Sequence, residues 1–188
     1  MKKETLIKCA LVGGLVVFLW GAFSWMVLPW HSATMMRFQD ESEVAETIED
    51  NTAMSGVYVL PNMCAAKAMQ DSDAQAEGAK MMKEGPMMFC SVMKGGMQKS
   101  MVQMLITGFI IQVVAALIAT WLLMHTKGLT FWKQVCFVTS MGLFAGVVGY
   151  LPCWNWWGFT LGYTVVGMLD LIIGWFLAGL VIAKLAKK

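Results

Sequence analysis

The run Phe159–Ala183, FTLGYTVVGMLDLIIGWFLAGLVIA, has 25 residues and one charged side chain, Asp170, near its middle. At about 1.5 Å per residue a helix of that length covers roughly 38 Å, more than the roughly 30 Å hydrocarbon core of a bilayer. A lipid-exposed backbone must satisfy its own hydrogen bonds, so such a run has to be a helix. Similar runs lie upstream. Cys9–Trp30 has 22 residues without a charge, and Met101–Met124 and Phe131–Leu151 are comparably apolar. The pattern predicts an all-α membrane protein, a four-transmembrane-helix bundle with a small α/β extracytoplasmic domain between helices 1 and 2.

Composition agrees with that class. Of 188 residues, 58% are hydrophobic and 14% charged, against about 25% charged in soluble domains. A net charge of +2 with dispersed basic residues gives no footprint for nucleic acid. The first apolar run is too long for a signal-peptide core of about 7–15 residues, and no small-x-small cleavage site follows it. It is expected to be an uncleaved anchor. The chain therefore divides into 1–30 (cytoplasmic N-terminus and first helix), 31–100 (extracytoplasmic domain) and 101–188 (helices two to four and cytoplasmic C-terminus).

Orientation follows from Lys and Arg near the membrane ends. The N-terminus has three (Lys2, Lys3, Lys8), the turn after the second helix has two (Lys127, Lys133), and the C-terminus has three (Lys184, Lys187, Lys188). On a four-helix path all of these fall on one side. The segment 31–101 has six basic and ten acidic residues. Both termini are thus placed in the cytoplasm and the long segment outside, as in a bacterial inner (plasma) membrane. Trp25, Trp30, Trp154, Trp156 and Trp157 mark the outer interface and Trp132 the inner one.

Within the external segment, Asp40–Asp50 reads as a short helix capped by Asp40 or Ser42. Val57–Leu60 and Met87–Val92 read as strands. Met63–Lys83 reads as helical, broken near Asp71–Asp73. Pro152–Gly158, PCWNWWG, reads as a tight connection between the third and fourth helices.

Asp170 lies about 20 Å from Lys184 and as far from Trp157, at the midplane. A carboxylate there costs at least about 2.5–3.5 kcal/mol, so it should face protein or water, or stay protonated. Gln112, at nearly the same depth, and Tyr163 are its candidate partners. One outcome is a proton or cation site. The other, favoured here, is a structural hydrogen bond that holds helices together or docks another subunit. His31 and His125 are placed on opposite sides of the membrane, each at an interface.

Thirteen of 18 methionines fall between Met35 and Met104. Met93, Met97, Met101 and Met104 share one face if the chain is helical there, and thioethers bind Cu(I). Methionine is also a flexible packing residue, and packing or partner contact is the favoured role, with no metal assigned. Cys64 and Cys90 lie in the external segment, where an oxidising compartment would join them in a disulfide; Cys153 competes as a partner. Gly142-x-x-x-Gly146 and Gly158-x-x-x-Gly162, with Gly149, Gly167 and Gly174, suggest a tight hairpin of the third and fourth helices.

No nucleophile–base–acid set, phosphate loop or nucleotide fingerprint is present, so no enzyme activity and no cofactor is expected. The expected role is a non-catalytic accessory or scaffold subunit, partnered by lipid and by other membrane subunits or a second copy. The alternatives are a small transporter or channel using Asp170, or copper handling through the methionines.

Overall fold

The computed structural model describes residues 3–63 and 70–186. The structure is mostly helical, 72%, and the described residues form six α-helices and a two-stranded sheet. In chain order these are α1 (Lys3–Met26), a 3-10 turn (Ser32–Thr34), α2 (Glu41–Asn51), β1 (Gly56–Leu60), α3 (Ser72–Glu84), β2 (Met88–Val92), α4 (Met101–Met124), α5 (Phe131–Trp157) and α6 (Leu161–Ala186). The chain forms two compact units, Met1–Met36 with Lys99–Lys188, and Arg37–Gln98.

The first unit holds α1, α4, α5 and α6, four helices long and apolar enough to cross a membrane. Large apolar side chains such as Leu19, Ile106, Ile110, Ile118 and Phe144 are exposed on them. That is the reverse of a water-soluble bundle, and it fits a bilayer environment, where lipid covers such faces. The helices meet instead through small residues. Cys9, Ala116, Ala119, Ala178 and Ile182 are buried where they cross.

Helix α1 packs against both α4 and α6, and α5 packs mainly against α6. Two glycines show why the backbones come so close. A Cβ on Gly14 would lie 2.7 Å from the Val113 Cα, and one on Gly142 would lie 2.7 Å from the Trp175 Cβ. Gly146 and Gly167 also face the α5–α6 contact, against Met168 and Tyr150. Gly174 does not: it receives the indole of Trp20 from α1. Gly149 faces open space, and Gly162 faces Thr34.

Helix α5 corrects one expectation. It runs through Pro152 to Trp157, so PCWNWW is helical and not a tight connection. Proline removes one N–H and crowds the carbonyl four residues back, yet it does not end this helix. Gly158 does, at φ 69°, with the Phe159 N–H bonded to the Cys153 carbonyl at 3.4 Å. At that left-handed glycine the Gly158 and Phe159 N–H groups both turn to the Cys153 carbonyl, which ends the helix. The tight connection is Gly158–Thr160, and Thr160 Oγ1 accepts from the Tyr163 N–H.

In the second unit, the Asp40 carboxylate accepts from the N–H groups of Ser42 and Glu43, both at 3.0 Å, and so starts α2. These bonds, that of Glu43 first, hold the Asp40 carboxyl below the usual carboxylate range. Asp71 caps α3 in the same way. Strands β1 and β2 pair antiparallel, from Gly56 opposite Val92 to Leu60 opposite Met88. Lys94 then fastens the ribbon to the end of α2. Its Nζ donates to the carbonyls of Glu49 (3.0 Å) and Thr52 (2.6 Å) and pairs with the Glu49 carboxylate (3.1 Å).

Two further expectations change. Cys90 is a free thiol, so the Cys64–Cys90 disulfide is not found; Cys64 itself lies outside the described residues. Cys90 sits on β2 opposite Tyr58 and lines an apolar groove with Ile48 and Val92, as a small apolar residue would. Cys153, the competing partner, is also free. Nor do the four methionines share a helix. Gly95 and Gly96 have φ 78° and 73°, and α4 starts only at Met101, where Ser100 and Gln103 form a capping box. Met93 and Met97 precede that helix.

Candidate functional site

Asp170 lies in the first half of α6, on the side that faces α1. Trp20 of α1 carries an indole N–H, which needs an acceptor once it leaves water. It donates to Asp170 Oδ1 at 2.8 Å and to the Asp170 carbonyl oxygen at 3.0 Å. Gly174, one turn beyond Asp170, leaves the space that the Trp20 ring fills.

A second group converges from the segment after α1. The chain turns at Pro29, whose carbonyl accepts the Ala33 N–H, and this brings His31 back beside the last turns of α1. The imidazole is 4% exposed. It stacks on Trp25 at 3.9 Å between centroids and 8° between planes, with Trp30 edge-on at 5.6 Å. His31 Nε2 shares a hydrogen bond with Ser24 Oγ at 3.0 Å, and Trp30 Nε1 donates to the same hydroxyl at 2.9 Å. Nε2 also stands 3.6 Å from Asp170 Oδ2.

Serine, histidine and aspartate thus meet, but not as a nucleophilic relay. In such a relay the hydroxyl and the carboxylate address opposite ring nitrogens. Here Ser24 and Asp170 both address Nε2, and Ser24 is fully buried. The arrangement orders side chains; it does not present an attacking oxygen.

Beside this cluster a cleft of about 390 Å³ runs between α1, α4 and α6. Its walls are apolar and aromatic, with Phe18, Trp20, Trp25 and Leu105 among them, and its polar groups are Gln112 and Asp170. Gln112 therefore shares the cleft with Asp170, but no hydrogen bond joins them. Tyr163 is elsewhere, in an aromatic group with Tyr150 (6.0 Å) and Phe159 (5.3 Å). His125 stays on its own helix end, Nδ1 against the Trp121 carbonyl at 2.9 Å. Among the described residues no three His, Cys, Asp or Glu side chains group to hold a metal ion.

The partners that sequence reasoning missed are Trp20, Ser24 and His31. A signal existed for the first two. They are four apart, on one face of α1, and both carry polar hydrogens in an otherwise apolar run. Neither a protein family, nor a curated protein, nor a solved structure matches the chain.

Proposed function

We propose that the chain is an integral membrane protein of four spans, a non-catalytic accessory or scaffold subunit of a membrane assembly. Both termini and the loop between α4 and α5 lie in the cytoplasm, and Arg37–Gln98 lies outside. The lysine distribution supports that orientation. The membrane is a bacterial inner (plasma) membrane, and the partners are other membrane subunits or a second copy. The observation that carries the scaffold role is the Trp20–Asp170 bond, which engages the mid-span carboxyl in holding α1 to α6.

A small transporter is the second candidate, favoured by the cleft that Asp170 shares with Gln112. Copper handling through the methionines is less favoured, since Met93 and Met97 precede the helix of Met101 and Met104. One pair of variants separates the first two. Asp170→Asn keeps a side-chain oxygen for the Trp20 N–H; Asp170→Leu leaves it only the backbone carbonyl. For a scaffold, the Asn variant retains the co-purifying subunits in mild detergent and the Leu variant loses them. An ion flux in vesicles of wild-type protein, lost in an Asn variant that still assembles, would establish transport instead. Orientation is tested separately: a maleimide in intact cells should label a cysteine at Gln75 and not one at Lys127.

A further inference from the structure

We propose that the cleft between α1, α4 and α6 binds an amphiphile with a protonated amine head and an apolar tail, the head held by Asp170 and Gln112. The inference is independent of the scaffold role. It starts from unequal use of the two Asp170 oxygens. Oδ1 accepts the Trp20 indole at 2.8 Å. Oδ2 has no donor within hydrogen-bond distance among the described residues, since His31 Nε2 is 3.6 Å away and is engaged with Ser24 at 3.0 Å. The Asp170 side chain is 15% exposed and lines the cleft. The Gln112 amide lines the same cleft and likewise has no side-chain partner among the described residues.

An ionised carboxylate in an apolar surrounding requires a counter-charge. A primary ammonium brings one, with three N–H donors for the Asp170 and Gln112 oxygens. Trp20, Trp25 and Phe18 line the cleft, and aromatic rings attract a cation placed over a free face. Phe18, Met26 and Leu105 provide the apolar walls for a tail. The volume of about 390 Å³ is within the range of ligand pockets. An alcohol lacks the charge, and a quaternary ammonium lacks the N–H groups. The same head-group chemistry is carried by an aminophospholipid of the bilayer and by a free lipophilic amine.

The probe is octylammonium, titrated into the full chain in phosphatidylcholine nanodiscs and read by tryptophan fluorescence, since Trp20 and Trp25 line the cleft. Saturable binding is expected, with 1-octanol giving only unsaturable partitioning. Asp170→Asn, which keeps the bond to Trp20, should weaken binding by about tenfold or more. Gly108→Phe should abolish it by filling the cleft without touching the carboxyl; a Cβ there would sit 3.8 Å from the Phe18 ring, an ordinary contact. Phosphatidylethanolamine in the discs competes with the probe if the natural ligand is a bilayer lipid, and leaves the affinity unchanged if it is a free amine. Octanol binding as tightly as octylammonium, wild-type affinity in Asp170→Asn, or no saturable binding at all would each overturn the proposal.

Discussion

The indole nitrogen of Trp20 lies 2.8 Å from Asp170 Oδ1 and 3.0 Å from the carbonyl oxygen of the same residue, so one donor on α1 serves both side chain and backbone of α6. A double-mutant cycle of Trp20→Phe and Asp170→Leu, read by thermal unfolding in detergent, should give a coupling of roughly 0.6–2 kcal/mol. Strict additivity of the two single changes would show that the bond contributes nothing to holding the helices.

Gly142 and Gly149 lie one heptad apart on α5 in opposite surroundings. A Cβ on Gly142 would meet the Trp175 Cβ at 2.7 Å and the Leu171 carbonyl at 2.8 Å, whereas nothing lies within 4 Å of one on Gly149. Gly142→Ala should therefore destabilise by roughly 1–3 kcal/mol through overpacking. Gly149→Ala should be neutral, or stabilise by up to about 1 kcal/mol through helix propensity. Melting temperatures in the reverse order would contradict the packing of α5 on α6.

Lys94 supplies the charge and the donors for the exposed carbonyls at the end of α2. Lys94→Met keeps the length of the stem and removes both bonds, at a cost of roughly 1.5–3 kcal/mol to the local structure. Hydrogen exchange should quicken in the last turn of α2 while α3 stays protected. Uniform protection of α2 in the variant would show that the lysine is not what anchors it.

Asp40 links α2 to pH. Its folded-state carboxyl titrates below the unfolded value of about 3.9, because the Glu43 and Ser42 groups donate to the ionised form. The contribution to α2 is thus fully present above that unfolded value and is lost as pH falls through the lowered folded one. Amide resonances of Ser42 and Glu43 should follow that titration, and Asp40→Asn should remove it. A midpoint at the unfolded value would abolish the linkage, and one above it would reverse its sign.

The four apolar helices, the cap at Asp40 and the two strands are legible in the sequence because each is set by nearby residues, whereas the acids at Asp71–Asp73 read as a break and are in fact where α3 starts, capped by Asp71. Apolar length fixes a span, and a short acid before an amphipathic run fixes a start. Pro152 misled because its lost hydrogen bond is a local signal that the helix overrides, and the stop lies at Gly158. The depth of Asp170 can be counted along its own helix. Its partner cannot, since that depends on which helix lies alongside and how it is rotated, and α1 takes the place through Gly174. His31 is least legible of all: its position follows from stacking between Trp25 and Trp30 after the chain has turned at Pro29.

The same bond between Trp20 and Asp170 joins residues 150 apart in the chain. Its donor is synthesised in the first span and its acceptor in the last. The Trp20 N–H therefore cannot bond Asp170 until α6 has been synthesised. The α1–α4 contact can form earlier, because Gly14 needs only Val113. The pairing of α1 with α4 can therefore precede its pairing with α6, in the order in which those helices are made.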